Sequence, residues 1–89
     1  MRITFSDNTE LQAYHFVYDQ MSDWIFVYIY TEDFNSLVPI FRSEELLREI
    51  TVDDHGEIRS YSGYVQTEQF FGIVKEDKIL VTVVLKQEG

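Results

Sequence analysis

Seven consecutive residues, Trp24-Ile25-Phe26-Val27-Tyr28-Ile29-Tyr30, are all aromatic or β-branched. Side chains of these kinds fit a pleated, half-buried surface better than a helix, so the run reads as a strand. Successive side chains of a strand point to opposite faces, and both faces here are apolar: Trp24, Phe26, Tyr28 and Tyr30 against Ile25, Val27 and Ile29. A strand wet on one side alternates apolar with polar residues. This one therefore sits centrally in a sheet, or turns one face to a partner.

Period-2 patterning extends through most of the chain. Residues 2–6 read as a short strand running into the turn Ser6-Asp7-Asn8. Residues 10–19 read as one strand, with Leu11, Ala13, His15 and Val17 on one face and Tyr14, Phe16 and Tyr18 on the other. Later, 49–53 and 57–65 flank the turn Asp53-Asp54-His55-Gly56, whose glycine suits a positive φ. Residues 70–75 and 78–86 flank the tight turn Glu76-Asp77, and Lys78 and Lys86 guard the two ends of the last strand.

The period changes once. Phe34, Leu37, Val38 and Phe41 recur at helical spacing, and Pro39 implies either a kink or a late start, with Ser36 as N-cap and Pro39 in the first turn. Ser43 before Glu44 and Glu45 then predicts a second N-cap, opening a turn that carries Leu46, Leu47 and Ile50. The expectation is a single α+β domain over 1–89. It has six or seven mostly antiparallel strands, as a meander forming a twisted sheet, small barrel or sandwich, with one short helical crossover around 33–48.

Composition narrows the function. The chain has 89 residues, Lys+Arg 7 against Asp+Glu 16, a net charge of -9 and no cysteine. No disulfide framework or thiolate metal site is open to it. A hydrophobic fraction of 45% is too high for a disordered acidic tail. A basic groove for nucleic acid is missing, so no direct nucleic-acid binding is expected. The first residues break into turn formers with no signal-peptide run, and the seven-residue apolar stretch is far short of a membrane span of about 20 residues. Synthesis in the cytosol and no membrane partner are the expectation.

Catalytic groupings are weak. Asp53, Asp54, His55 and Glu57 are too closely spaced for a calcium loop, whose ligands alternate over a longer segment, and they read as a solvated turn. The two histidines, His15 and His55, accompany no nucleophile elbow and no cysteine. The paired carboxylates Glu32-Asp33, Glu44-Glu45, Asp53-Asp54 and Glu76-Asp77 fall in turns or helix starts, where acids are favoured locally. No enzyme activity, metal or cofactor is expected.

The aromatics carry more information. Fourteen rings (Trp 1, Tyr 6, Phe 7) exceed what so small a core can enclose, since a domain of this size buries only about 60–65% of its unfolded surface. Tyr14, Phe16, Tyr18, Trp24, Phe26, Tyr28 and Tyr30 are the candidate interface, for protein partners or for a homo-oligomer. Asp19, Asp23, Glu32 and Asp33 form the candidate acidic patch, which supports an alternative: a small acidic inhibitor that imitates nucleic-acid phosphates and blocks a host enzyme or nuclease.

The linear pattern also carries a resemblance. The start Ile3-Thr4-Phe5-Ser6-Asp7-Asn8-Thr9 is followed by the aromatic strand and Phe34-x-x-Leu37-x-x-Ile40-Phe41. Next come Leu47-x-x-Ile50-x-Val52, the Gly56 turn, and Tyr61 and Tyr64 before two closing strands. Together these resemble the short accessory proteins encoded among the tail genes of Gram-positive siphophages and prophages. That resemblance implies a virion or tail-assembly role without an active site, and association with the virion.

Overall fold

The doubly apolar run forms the strand Trp24–Thr31 (β4), with neighbours on both sides. The computed structural model describes residues 1–88. Seven further strands complete the chain: Arg2–Thr4 (β1), Glu10–Gln12 (β2), His15–Asp19 (β3), Glu49–Asp54 (β5), Glu57–Ser62 (β6), Tyr64–Lys75 (β7) and Lys78–Gln87 (β8). They make two four-stranded antiparallel sheets, in the order β2-β1-β5-β6 and β3-β4-β8-β7.

The fold class is the expected β-rich α+β, but eight strands stand where six or seven were expected. Two long runs each divide between the sheets. In residues 10–19 the Ala13 N–H bonds to the Met1 carbonyl in the first sheet, and the next N–H, of Tyr14, bonds to the Tyr28 carbonyl in the second. Gly63 makes the other corner. Its N–H donates to the Arg48 carbonyl at 3.0 Å, and its own carbonyl accepts from the Glu88 N–H at 2.8 Å. Its φ of 77° lies in the left-handed region where glycine carries no Cβ penalty. Both sheets therefore pass into each other at their edges, giving a flattened barrel.

The core fills the space between them. Ile25, Val27 and Ile29 lie opposite Leu85, Val83 and Val81 on the inner side of the second sheet, and all six are at most 2% exposed. Ile3, Ile50 and Val52 face them from the first. Burying each such side chain contributes about 1.5–3 kcal/mol.

One end of the barrel is closed by the segment 33–48, as expected a helical connection. It consists of a 3-10 turn at Phe34–Ser36, a single-turn helix Val38–Phe41 (α1) with Pro39 in its first turn, and a 3-10 turn at Leu46–Arg48. Leu37, Phe41 and Leu47 are buried from it, and Phe41 meets Phe5 edge-on at 5.8 Å. The capping expectation was half right. Ser43 accepts from the Leu46 N–H at 3.2 Å, but Ser36 does not cap α1: its hydroxyl donates to the Asp33 carbonyl, and Asp33 caps the preceding 3-10 turn through the Asn35 N–H. An N-cap at Ser36 would look to the third residue on for a donor, and Pro39 there has no N–H, so the serine turns back along the chain.

Candidate protein-interaction surface

The two sheets present opposite chemistries to the outside. The outer side of the first carries Arg2, Thr4, Glu10, Gln12, Thr51, Asp53 and Ser60, with Ile58 as an isolated exposed apolar residue, as register with the inward Ile3 and Val52 requires. That is the polar exterior expected of a sheet wet on one face.

The second sheet breaks that rule. Its inner and outer sides are both apolar, because β4 and β8 are apolar on both faces. The outer side reads as rows across the strands: Val17, Phe26 and Val84; then His15, Tyr28, Thr82 and Phe71; then Tyr30, Leu80 and Ile73. Trp24 extends the first row, its ring 6.5 Å from that of Phe26, and Tyr14 packs edge-on against Tyr30 at 5.0 Å. Val84 is 1% exposed although it lies on this outer side, so the surrounding side chains already form a small apolar cluster outside the barrel. Tyr14, Val17, Tyr30, Phe71 and Ile73 remain exposed on it. Of the strand positions that the register places outward, only Asp19, at the end of β3, is acidic, and Glu76 and Asp77 of the β7–β8 turn lie beside Tyr30 at one end. All three lysines of this net-negative chain, Lys75, Lys78 and Lys86, sit at its ends.

Of the seven residues in the candidate interface, five share this surface: Tyr14, Trp24, Phe26, Tyr28 and Tyr30. Phe16 and Tyr18 do not. They point between the sheets and lie against Tyr61, with ring centroids at 5.5 and 5.3 Å, and Tyr61 in turn meets Tyr64 at 6.4 Å. Together with Met1, Val52 and Arg59 they line a cleft of about 130 Å³ at the mouth of the barrel. The Tyr64 hydroxyl donates to the Asp23 carbonyl at 2.9 Å, and burial raises its pKa. The Tyr18 hydroxyl donates to the Asp23 carboxylate, which pushes the phenol up to about 12.

The four candidate acidic residues separate into two pairs. Asp19 and Asp23 belong to the turn before β4, and Glu32 and Asp33 follow its far end, roughly 26 Å away along an eight-residue strand. Three of the four carboxylates serve local structure. Asp19 accepts from the Met21 N–H and the Ser22 hydroxyl, Asp23 from Tyr18, and Asp33 from the Asn35 N–H. The acids around residue 55 are likewise engaged. Asp53 holds Arg2 at 3.0 Å and accepts from the Gly56 N–H, and Glu57 pairs with Arg59. Among the described residues no three His, Cys, Asp or Glu side chains converge on a common point. His15 stands exposed beside Tyr28.

Sequence reasoning missed the half of the surface that β7 and β8 supply. The signal was present: Leu80, Thr82 and Val84 alternate with Val81, Val83 and Leu85, the same doubly apolar pattern as residues 24–30. No helix among the described residues is long and apolar enough to cross a membrane. No known protein family, curated protein or solved structure matches the chain.

Proposed function

We propose that this chain is a non-enzymatic binding module that acts by protein–protein contact through the outer side of the β3-β4-β8-β7 sheet. The assembly role implied by its resemblance to tail-associated phage proteins is the setting we assign to it. One observation carries the reading: the same chain makes one sheet polar outward and the other apolar outward. An apolar outer face costs solubility and adds nothing to the core inside, whereas aromatic-rich, acid-poor patches are what specific interfaces bury at their centres.

The test is recovery of partners from the source cells after prophage induction. A tagged wild-type chain is compared with a Trp24→Ala/Tyr28→Ala double variant, both checked for unchanged circular dichroism. Tail proteins recovered with the wild type and lost with the variant are the expected result. Equal recovery with both removes the face from the reading, and recovery of no tail protein removes the assembly role.

A further inference from the structure

The strand β7 lies at the end of its sheet. Among the described residues, the backbone of 70–75 bonds to no element other than β8, so its outward N–H and C=O groups are free. The segment along that edge is Phe70-Phe71-Gly72-Ile73-Val74, with neither charge nor proline until Lys75. Phe71, Ile73 and Val74 are 47, 52 and 75% exposed. Proteins blunt such edges with charges, proline or short strands, and this one is long and apolar.

We infer that the edge of β7 pairs antiparallel with β7 of a second copy, about a two-fold axis through Gly72. The order of residues argues for self-pairing. Two aromatics precede the glycine and two β-branched residues follow it. In the register centred on Gly72, each Phe71 therefore faces an Ile73 on the outer side and each Phe70 faces a Val74 on the inner side. Aromatic opposite β-branched is a favourable cross-strand combination, and symmetry supplies every pair twice. Sliding by one residue would set inner side chains against outer ones, and the next permitted registers place Ile73 against Gln69 or Lys75 against Phe71.

One further feature fits the axis. At Gly72 an added Cβ would stand 2.6 Å from Ile79 Cγ2 and 3.1 Å from the Phe34 ring, so the protein's own packing already excludes a side chain where the two copies come closest. The same register sets Lys75 of each copy opposite Gln69 of the other, beside the bulge that carries Glu68, but also sets Glu76 opposite Glu68, so charge does not fix the pairing. The dimer would join two four-stranded sheets into one of eight, with the apolar outer sides continuous. It runs along the edge of the face proposed above and shares Phe71 and Ile73 with it, but it rests on backbone pairing of β7 and stands whether or not that face binds a foreign protein.

The natural lack of cysteine makes the register directly testable. A Phe71→Cys chain mixed with an Ile73→Cys chain places the two thiols on directly opposite residues, with Cα atoms about 4.5–5.5 Å apart and within disulfide range. Two copies of the same variant place them diagonally, at roughly 7–8 Å. Oxidation is expected to give mostly mixed dimer. Sedimentation equilibrium is expected to show a wild-type dimer, and Ile73→Lys to raise its dissociation constant by about tenfold or more through loss of both pairs and like charges near the axis. Val74→Lys, on the inner side and off that face, is expected to loosen the dimer as well, and with unchanged circular dichroism should still recover whatever tail proteins the wild type recovers. A wild type that stays monomeric, a dimer indifferent to Ile73→Lys, or crosslinking without preference for the mixed pair would each overturn the inference.

Discussion

Tyr18 shows how a single residue can belong to a different surface from its neighbours. It sits one residue beyond the outward-facing Val17, yet its ring lies between the sheets and its hydroxyl holds the Asp23 carboxylate. That bond favours the protonated phenol and pushes its pKa up to about 12. A phenol whose folded pKa exceeds the unfolded value of about 10 contributes stability that is fully present below pH 10 and is lost as pH climbs towards 12. The wild type is thus expected to lose stability across that window, and a Tyr18→Phe chain to lose less of it. Tyrosinate absorbance should show one phenol fewer titrating near pH 12 in the variant. Glu76 offers a second case. It is the first central residue of the β7–β8 turn and carries a φ of 57°, a region costly for a side chain with a Cβ. Glu76→Gly is expected to stabilise the fold, by at most about 1 kcal/mol because glycine also loosens the unfolded chain. Thermal melts of the two proteins check it.

At the scale of elements, how much of the fold could be read depended on whether alternation stayed in phase. In β4 it did: the apolar run is long, unbroken and central, as its two faces implied. In residues 10–19 the phase slips. Leu11 and Ala13 point into the barrel from the first sheet, then Phe16 and Tyr18 do so from the second, so inward positions change from odd to even at the corner between Ala13 and Tyr14. A one-residue slip reverses every side chain after it, and nothing in the sequence marks this corner as a turn would. That is why Phe16 and Tyr18 were grouped with rings they do not join. The second corner was marked, by Gly63, but a lone glycine in a strand pattern equally suggests a bulge. Two substitutions separate what glycine does in this fold. An added Cβ at Gly63 meets nothing within 4 Å, so Gly63→Ala should cost roughly 1–2 kcal/mol purely through its positive φ. Gly72→Ala meets Ile79 instead and should destabilise by collision, a loss that Ile79→Ala partly relieves in a double-mutant cycle. No such relief is expected at Gly63, and urea unfolding distinguishes the two.

Over the whole molecule, rings and acids are distributed differently. A surplus of rings implied a partner, and the structure places five of the seven candidate residues on one outer sheet face. The acid excess had no comparable geometry to read, because turns use carboxylates one at a time and scatter them along the chain. Charge and apolar surface consequently occupy different sides, and this bears on the self-association inferred above. Each copy carries -9. Two such copies repel at long range, over a Debye length of about 10 Å in 0.1 M salt, while the contact between them is backbone pairing and apolar side chains. The exposed charges at the ends of the contact, Glu68, Lys75 and Glu76, add little, since ion pairs in water contribute at most about 1 kcal/mol. Screening should therefore remove more repulsion than attraction. Dimer formation is expected to tighten as salt rises from about 0.05 M to about 0.5 M, by several-fold in dissociation constant measured by sedimentation. An acidic surface docking on a basic partner would weaken over the same range. A dimer that loosens steadily with salt would mean that exposed charges hold it together, and the apolar edge of β7 would then not be the contact.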